Sequence, residues 1–296
     1  MKRPFASLAL LVLCGAAPRP EIAITIDDLP VHAPYPPGLT PLDVNRQMIA
    51  ALKRRHVPTT TFVNAANVKD ADTMEALREW SAAGFTLGNH TWSHPHLSGL
   101  TRAEFEAELT KNEPVLGKLG GSSDWRWFRY PFLDEGKDET QRVAARQVLA
   151  KHGYRVAAVT MGFSDWAFTP AWARCSSKGN KEALRQLETL YLQSARDNVL
   201  VARRTAHALY GRDIPYVLLM HVSAMSAHMM PQVIRLYRNA GFRLISLAEA
   251  ERDPAYAAYT NLSLSPPPVD WKRAQEKGVT LPSAPDHSTV LNNICA

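Results

Sequence analysis

The sequence has few cysteines and no apolar run long enough to cross a bilayer, and both shortages exclude protein classes. Its 296 residues include 3 cysteines, 15 glycines and 21 prolines. This composition excludes a disulfide-dense scaffold and a collagen-like repeat. The apolar run at residues 5–13 is shorter than the roughly 20 residues that a membrane-spanning helix needs.

A strong excess of one charge is also absent. The net charge is +6, from 34 basic and 28 acidic residues, and the basic residues form no block. We therefore expect no nucleic-acid partner. The sequence also lacks a G-x-S-x-G elbow, a P-loop and a C-x-x-C motif, which are signatures of other enzyme classes.

The chain does contain enough apolar material for a large core. Hydrophobic residues make up 46% of it and charged residues 21%, which is typical of soluble globular proteins and excludes disorder as the dominant state. A prior of about 150 residues per domain suggests two domains, but α/β barrels of roughly 200–250 residues form one. Length alone leaves both possibilities open.

The N-terminus has the pattern of a secretory signal peptide. A basic start at Lys2 precedes the apolar run and a stretch of small residues, which together define such a signal. We expect cleavage after Ala16, no stable membrane insertion afterwards, and a secreted or periplasmic protein. A lipoprotein anchor is not expected, because the bulky Leu13 stands where a lipobox needs a small residue.

Proline distinguishes the C-terminal tail from the rest of the chain. Several prolines interrupt residues 261–296, and we expect an extension packed on a domain at 17–260, after a signal peptide at 1–16. Cleavage leaves two cysteines, Cys175 and Cys295. Exported proteins often pair such residues, but the sequence leaves open whether these two meet.

Strand-like and helical segments alternate before the tail. Apolar, β-branched runs predict strands, and apolar residues at helical spacing predict helices. The predicted strands lie at 22–26, 59–63, 85–90, 126–130, 154–161, 216–221 and 242–246. The predicted helices lie at 41–56, 71–83, 101–119, 138–152, 180–207, 230–240 and, in the tail, 269–277. This alternation predicts an α/β fold with a parallel sheet of about seven strands.

Side chains with catalytic chemistry follow the predicted strands. Asp27 and Asp28 end the first strand, and two histidines follow the third. The later residues of this kind are Arg129, Asp165 and His221. Because the carboxyl ends of parallel strands converge on one face, we expect these side chains to meet there.

The two histidines, His90 and His94, have the spacing of a metal site. Residues four apart on a helical turn point the same way, and two histidines with one carboxylate leave open positions for water and substrate. The other carboxylate of the aspartate pair is then free to act as base on the metal-bound water. Taken alone, the aspartates are equally consistent with a turn and the histidines with a structural role.

Other residues acquire roles only beside such a site. Arg129 is either a surface cation or a group that orients the base, and His221 is either a core histidine or a general acid. Asp165 would hold the His221 imidazole in one tautomer and raise its pKa. Trp166 lines a groove or lies in the core. His32, in the loop after the aspartate pair, either touches substrate or lies at the surface, and we expect the surface position.

Five segments, in order, resemble the motifs of the polysaccharide deacetylase family, the metal-dependent carbohydrate esterases with NodB homology. They are Thr25-Ile-Asp-Asp28, His90-Thr-Trp-Ser-His94, Arg129-Tyr-Pro-Phe132, Ser164-Asp-Trp166 and Leu218-Leu-Met-His221. The resemblance covers roughly residues 22–250. It implies a distorted (β/α) barrel with about seven parallel strands, one divalent metal ion, usually Zn²⁺, and hydrolysis of N- or O-acetyl groups on a carbohydrate.

The resemblance also implies a role for each matching residue. The catalytic and metal-binding positions are the base Asp27, the ligands Asp28, His90 and His94, the base-orienting Arg129, the acid-supporting Asp165 and the general acid His221. The substrate-binding positions are Phe132, whose backbone N–H helps to hold the oxyanion, Trp166 in the groove, and Met220 beside the acetyl methyl group.

Two departures from the family pattern bear on the substrate. Leu29-Pro30 stands where the family commonly has Gly, and Val222-Ser223 where it commonly has Asp. Both are expected to alter the groove beside the metal, and neither removes a ligand or a proton-transfer group. Our leading hypothesis is an exported, metal-dependent carbohydrate deacetylase. The alternatives are a hydrolase of a small-molecule amide or cyclic imide on the same barrel, and a catalytically silent glycan-binding envelope protein. The oligomeric state is left open.

Overall fold

Parallel strands form one sheet at the centre of the structure. The computed structural model describes residues 19–120, 124–267 and 270–296, so the predicted signal peptide lies outside the described residues. The strands are β1 (Glu21–Leu29), β2 (Thr59–Val63), β3 (Thr86–Asn89), β4 (Trp127–Phe128), β5 (Arg155–Val156), β6 (Tyr216–His221) and β7 (Arg243–Leu244). Every pairing between them is parallel, which confirms the predicted α/β class.

The chain after β5 joins the two edges of the sheet. The strand order is β5-β4-β3-β2-β1-β6, and β7 pairs with the start of β1. From the β5 edge the chain crosses to β6, where Met161 forms a parallel bridge with Leu218. The Met161 N–H donates to Val217 O, and the Leu219 N–H donates to Met161 O, both at 3.0 Å. The sheet is therefore curled into the distorted barrel that was predicted.

Helices surround the sheet. They are α1 (Pro41–Arg54), α2 (Ala71–Ala82), α3 (Arg102–Leu119), α4 (Glu139–Lys151), α5 (Phe168–Ser177), α6 (Lys181–Tyr210), α7 (Ala224–Asn239), α8 (Leu247–Ala250), α9 (Ala257–Thr260), α10 (Asp270–Lys277) and α11 (Ser288–Asn293). Helix α3 begins with the reciprocal hydrogen bonds of a capping box between Thr101 and Glu104, a motif that satisfies two otherwise free N–H groups. No helix in the described ranges is long and apolar enough to cross a membrane.

Three of the differences from the prediction have identifiable reasons. β5 has two residues rather than eight because the chain leaves β4 to reach β6. α5 was not predicted; its Pro170 lies in the first turn, where a missing N–H costs little. α7 begins six residues earlier than predicted, after the cap Ser223. Residues 224–230 are buried almost throughout, so they show no amphipathic period.

The core holds the loop that follows β1. β1 is buried along nearly its whole length, as expected for a strand covered on both faces. Trp80 is fully buried, and its Nε1–H donates to Asn45 Oδ1 at 2.6 Å. The Asn45 amide donates in turn to the carbonyls of Pro30 (2.8 Å) and Pro41 (2.7 Å). These bonds fix the loop between β1 and α1 from within the core.

A disulfide ties the tail to the barrel. Cys175 and Cys295, whose pairing the sequence left open, are bonded, with a Cα–Cα distance of 5.3 Å. Beside the bond, Arg174 Nη2 donates to the carbonyl of Leu291 at 2.7 Å. The division into domains at residue 260 stays a prediction.

Replacing both cysteines with serine should lower the free energy of unfolding by about 2–4 kcal/mol, a typical disulfide contribution. The bond joins residues with a sequence separation of 120. Its loss releases the tail in the folded chain and increases the conformational entropy of the unfolded chain. Denaturant unfolding of oxidised wild type and of the double variant measures the effect. Reductant should move the wild-type midpoint to that of the variant and leave the variant unchanged. Equal midpoints for both oxidised proteins would contradict the prediction.

Candidate active site

The carboxyl ends of the central strands surround one cavity. Its volume is about 360 Å³, and it is lined by Asp27, Asp28, His32, His90, His94, Tyr130, Phe132, Leu133, Trp166, Leu219 and His221. Asp27 and His221 are directly opposite each other in the parallel register of β1 and β6. The candidate base and acid thus face one space from neighbouring strands.

Asp28, His90 and His94 form a compact group that fits a metal ion. Their candidate ligand atoms all lie within 4.8 Å of one another. Asp28 Oδ1 is 3.4 Å from His90 Nε2 and 3.3 Å from His94 Nε2. Within the described part of the chain this buried oxygen has no hydrogen-bond partner, which is costly for a carboxylate. A divalent cation between the three atoms would satisfy it, and two histidines with one carboxylate suit such an ion.

Both histidine rings can present a nitrogen to a metal ion. His90 Nδ1 lies 2.8 Å from the carbonyl oxygen of Arg129. A carbonyl only accepts, so the neutral ring carries its proton on Nδ1 and presents the Nε2 lone pair towards Asp28. Burial lowers the pKa of His94 to about 4. The His94 ring is therefore neutral at pH 7, as a metal ligand must be.

His32 belongs to the site, and the expectation that it lies at the surface was wrong. Its Nδ1 is 2.7 Å from Asp28 Oδ2, and its ring centroid is 4.8 Å from that of His221. Burial would raise the pKa of Asp28, but the hydrogen bond with His32 and the nearby charge of His221 help to hold the pKa well below its ordinary value. The Asp28 carboxylate is therefore ionised. The spacing of four residues between Asp28 and His32 was the only feature of the sequence that indicated this contact.

Arg129 holds Asp27 in place. The guanidinium is 1% exposed, and its Nη1 lies 3.3 Å from Asp27 Oδ2. Its Nε donates to the carbonyl of Ala157 at 2.8 Å and its Nη2 donates to Thr25 Oγ1 at 3.1 Å. A buried cation needs such partners, so the side chain is fixed on three sides and orients the Asp27 carboxylate.

Asp165 lies behind His221. Asp165 Oδ1 is 2.9 Å from His221 Nδ1, and Oδ2 accepts from the His221 N–H and from Ser226 Oγ, both at 2.8 Å. Burial would lower the pKa of His221, but the Asp165 carboxylate outweighs it and raises the pKa to about 9. At pH 7 the ring is an imidazolium with Nδ1 engaged, which leaves the Nε2 proton available in the cavity.

Left-handed backbone conformations are concentrated around the cavity. Non-glycine residues with positive φ there are Asp28 (67°), Thr91 (65°), His94 (62°), Phe132 (57°), Leu133 (55°) and Ser164 (53°). Such conformations cost of order 1–3 kcal/mol each and persist where the surroundings hold them. The positions of these side chains therefore depend on local turns that strand periodicity does not reveal.

Three buried asparagines hold the turn that carries both histidines, and the sequence analysis missed them. The Asn64 amide donates to the carbonyl of His90, and Asn89 Oδ1 accepts from the Thr91 N–H at 2.9 Å. The Asn112 amide donates to Asn89 Oδ1 at 3.0 Å. Asparagines in otherwise unremarkable segments carry no motif, so only the assembled contacts identify them.

Two of the three predicted substrate-binding residues lie at the cavity. Phe132 and Trp166 line it and are 58% and 54% exposed. The Phe132 ring stacks on His96 with centroids 3.8 Å apart, and its N–H makes no hydrogen bond with any described residue. Met220 is instead fully buried, and Leu219 lines the cavity. Neighbouring side chains on β6 point to opposite faces, so the prediction was wrong by one position.

Comparison with known proteins is consistent with this geometry. Residues 15–157 match the family described as polysaccharide deacetylase. The peptidoglycan-N-acetylmuramic acid deacetylase PdaA of Bacillus subtilis (strain 168) is 28% identical over 152 residues, which are 50% of this chain and 49% of that protein. The chain spans about half or less of the length of the curated relatives it matches.

Solved structures share the fold. The chitin deacetylase of Colletotrichum lindemuthianum is 20% identical with a TM-score of 0.56, over 79% of this chain and 88% of that one. A CE4 family pseudoenzyme from Bacillus anthracis is 16% identical with the same TM-score of 0.56, over 78% of this chain and 65% of that one. At these identities the likeness shows the fold alone, so any activity must be argued from the side chains in the cavity.

Replacing Asp165 with asparagine should lower the pKa of His221 from about 9 towards its ordinary value, because burial is then opposed only by the Asp27 and Asp28 carboxylates. An NMR titration of the imidazole measures this. The raised pKa means that the pair stabilises the wild type fully below pH 6.5, by about 3 kcal/mol, and that this is lost as the pH rises through about 9.

The free energy of unfolding of the wild type, compared with that of Asp165→Asn, should therefore fall across that pH range. Asp213→Asn removes a carboxylate at the other end of β6 and should leave the His221 titration unchanged. An unaltered His221 pKa in Asp165→Asn would show that another group holds the proton.

Proposed function

Because the chain belongs to the polysaccharide deacetylase family over residues 15–157, we propose that it is an exported, metal-dependent hydrolase that removes N- or O-acetyl groups from a carbohydrate. The observation that supports this most is that Asp27, His221 and the group Asp28, His90 and His94 all line one cavity. A base, an acid and a cation site within one cavity are the components of metal-assisted hydrolysis.

Asp28, His90 and His94 would hold the ion, and Zn²⁺ suits this ligand set. When bound, the ion supplies Lewis-acid polarisation of the acetyl carbonyl and lowers the pKa of water. The backbone N–H of Phe132, which no described residue occupies, stabilises the oxyanion of the tetrahedral intermediate.

The chain's own side chains move the protons. Asp27, oriented by Arg129, takes a proton from the attacking water as the C–O bond forms. As the bond to the leaving group breaks, His221 donates its Nε2 proton to the departing amine or alcohol, and the Asp165 carboxylate stabilises the imidazolium beforehand. The register pairing of Asp27 with His221 lets both reach one acetyl group between them.

The departures from the family pattern do not favour a different substrate class. Leu29, Val222 and Ser223 are fully buried, and Ser223 Oγ accepts from the Ser226 N–H at the start of α7. In the described part of the chain these residues and Pro30 are absent from the cavity wall. Their absence from the wall supports a carbohydrate over a small amide or cyclic imide as the substrate.

Two independent features support the proposed export. The N-terminal pattern is that of a signal peptide. The Cys175–Cys295 disulfide belongs to an oxidising compartment, because cytosolic thiols are kept reduced.

Asp27→Asn should lower kcat by about 10²–10⁴-fold, the usual contribution of a general base, and should leave the metal content unchanged. Acetate release from chitin oligomers, peptidoglycan and acetyl-xylan measures the rate. The matched control is Asp43→Asn, a carboxylate at the exposed cap of α1. A wild-type protein that binds Zn²⁺ and releases no acetate from any of these glycans would support the silent glycan-binding alternative.

His94→Ala should abolish stoichiometric Zn²⁺ binding, because one of three ligand atoms is lost. Metal content after dialysis and a competition titration with a chelator measure this without an activity assay. His96→Ala is the control, because the His96 ring is exposed and its Nδ1 lies 3.3 Å from Asp134 Oδ2. His96 is not one of the three candidate ligands. Retention of Zn²⁺ by His94→Ala with wild-type affinity would overturn the assignment of this ligand.

A further inference from the structure

His32 contacts the candidate metal-binding group, although it lies outside the five segments that resemble the family motifs. The segment nearest to it ends at Asp28. The His32 side chain lines the same cavity as Asp27 and His221, and it is only 18% exposed. Its presence in the site therefore comes from the loop between β1 and α1 of this chain and not from a motif of the family.

The two oxygens of the Asp28 carboxylate have different surroundings. Oδ1 lies 3.4 Å from His90 Nε2 and 3.3 Å from His94 Nε2, and it has no hydrogen-bond partner among the described residues. Oδ2 lies 2.7 Å from His32 Nδ1. Because a carboxylate oxygen only accepts, His32 Nδ1 carries a proton and donates this hydrogen bond. One oxygen is therefore occupied by His32, and the other is left for a cation.

The loop that carries His32 is held by contacts other than the one with Asp28. Two residues earlier, the carbonyl of Pro30 accepts from the buried Asn45 amide at 2.8 Å. The His32 N–H donates to Tyr35 Oη at 3.1 Å. The imidazole is thus already in place before an ion binds, and a preorganised group of this kind loses little entropy on binding.

The hydrogen bond restricts the orientation of the Asp28 carboxylate. Without it, the carboxylate can rotate about its Cβ–Cγ bond, so Oδ1 is directed towards His90 and His94 for only part of the time. The orientation then has to be fixed when the ion binds, which weakens binding. Hydrogen bonds to the ligands of a metal ion commonly have this orienting effect, and their loss reduces metal affinity by about 10–100-fold.

We propose that His32 is a positioning residue for the metal site: it holds Asp28 Oδ2 and thereby directs Asp28 Oδ1 towards the ion. This inference rests on the metal-dependent function proposed above and adds a residue that the resemblance to the family does not supply. Leu29-Pro30, one of the two departures from the family pattern, lies in the loop between Asp28 and His32. The departure thus affects the site through the position of His32, although neither residue lines the described cavity.

The test measures Zn²⁺ affinity by competition with a chelator, so it does not depend on a substrate. His32→Phe keeps an aromatic ring and removes the donor, and its Kd for Zn²⁺ should rise about 10–100-fold. His32→Asn carries an amide nitrogen the same number of bonds from Cβ as Nδ1, so it keeps a donor for Asp28 Oδ2. Its Kd should lie closer to the wild-type value than to that of His32→Phe.

His228→Phe is the matched control. His228 lies on α7 outside the cavity, and its Nε2 is 2.7 Å from Glu188 Oε1, so it forms a similar pair with a carboxylate. This variant should bind Zn²⁺ with wild-type affinity, which separates the effect of His32 from a general effect of replacing a paired histidine.

Two results would overturn the positioning role and leave the deacetylase assignment intact. One is wild-type affinity in His32→Phe. The other is an equal loss of affinity in His32→Phe and His32→Asn, because the hydrogen bond would then not be the cause. A wild-type protein that binds no Zn²⁺ and releases no acetate from any glycan would instead contradict the proposed function, and this inference with it.

Discussion

The site depends on one buried cation, Arg129. Its guanidinium contacts Asp27 on β1, and its Nε donates to the carbonyl of Ala157, in the segment that crosses to β6. Its own carbonyl accepts from His90, and its N–H donates to Asn89 O at the end of β3. One residue thus contacts the candidate base, a candidate metal ligand and the segment that closes the barrel. The buried guanidinium must keep these partners, because an unpaired buried charge costs several kcal/mol. The positions of the groups around it are therefore fixed.

Two histidines in this cavity have pKa values that are shifted in opposite directions. Burial lowers the pKa of His94 to about 4, whereas the pKa of His221 is raised to about 9. Burial acts against the charged form of both rings, but in His221 the charge and the hydrogen bond of Asp165 outweigh it. Two titratable groups whose pKa values are moved apart by their surroundings are a common basis for assigning ligand, acid and base roles. The chain achieves this with a single buried carboxylate behind one of the rings.

The sequence predicted the residues that lie at strand ends and missed those that hold them there. Asp27, His90 and His221 could be predicted because the ends of parallel strands converge whatever the loops do. His32 could not be placed, since its contact with Asp28 depends on the fold of the loop between β1 and α1. Met220 was assigned to the substrate side, although Leu219 lines the cavity, because a resemblance in sequence does not fix which face of a strand each residue occupies. Long-range contacts of this kind become visible only when the barrel is assembled.

The tail has few buried side chains, and yet it lines a cavity together with Trp166. The disulfide explains how the tail is held there. Among tail residues whose burial is described, only Ala274 and Leu291 are buried. So few buried side chains contribute little of the free energy that is needed to offset the conformational entropy of ordering the backbone of the tail. A covalent bond near the C-terminus reduces that entropy in the unfolded chain. Because Cys175 lies on α5, directly after the turn that carries Trp166, the same bond that retains the tail also sets its position against the catalytic cavity.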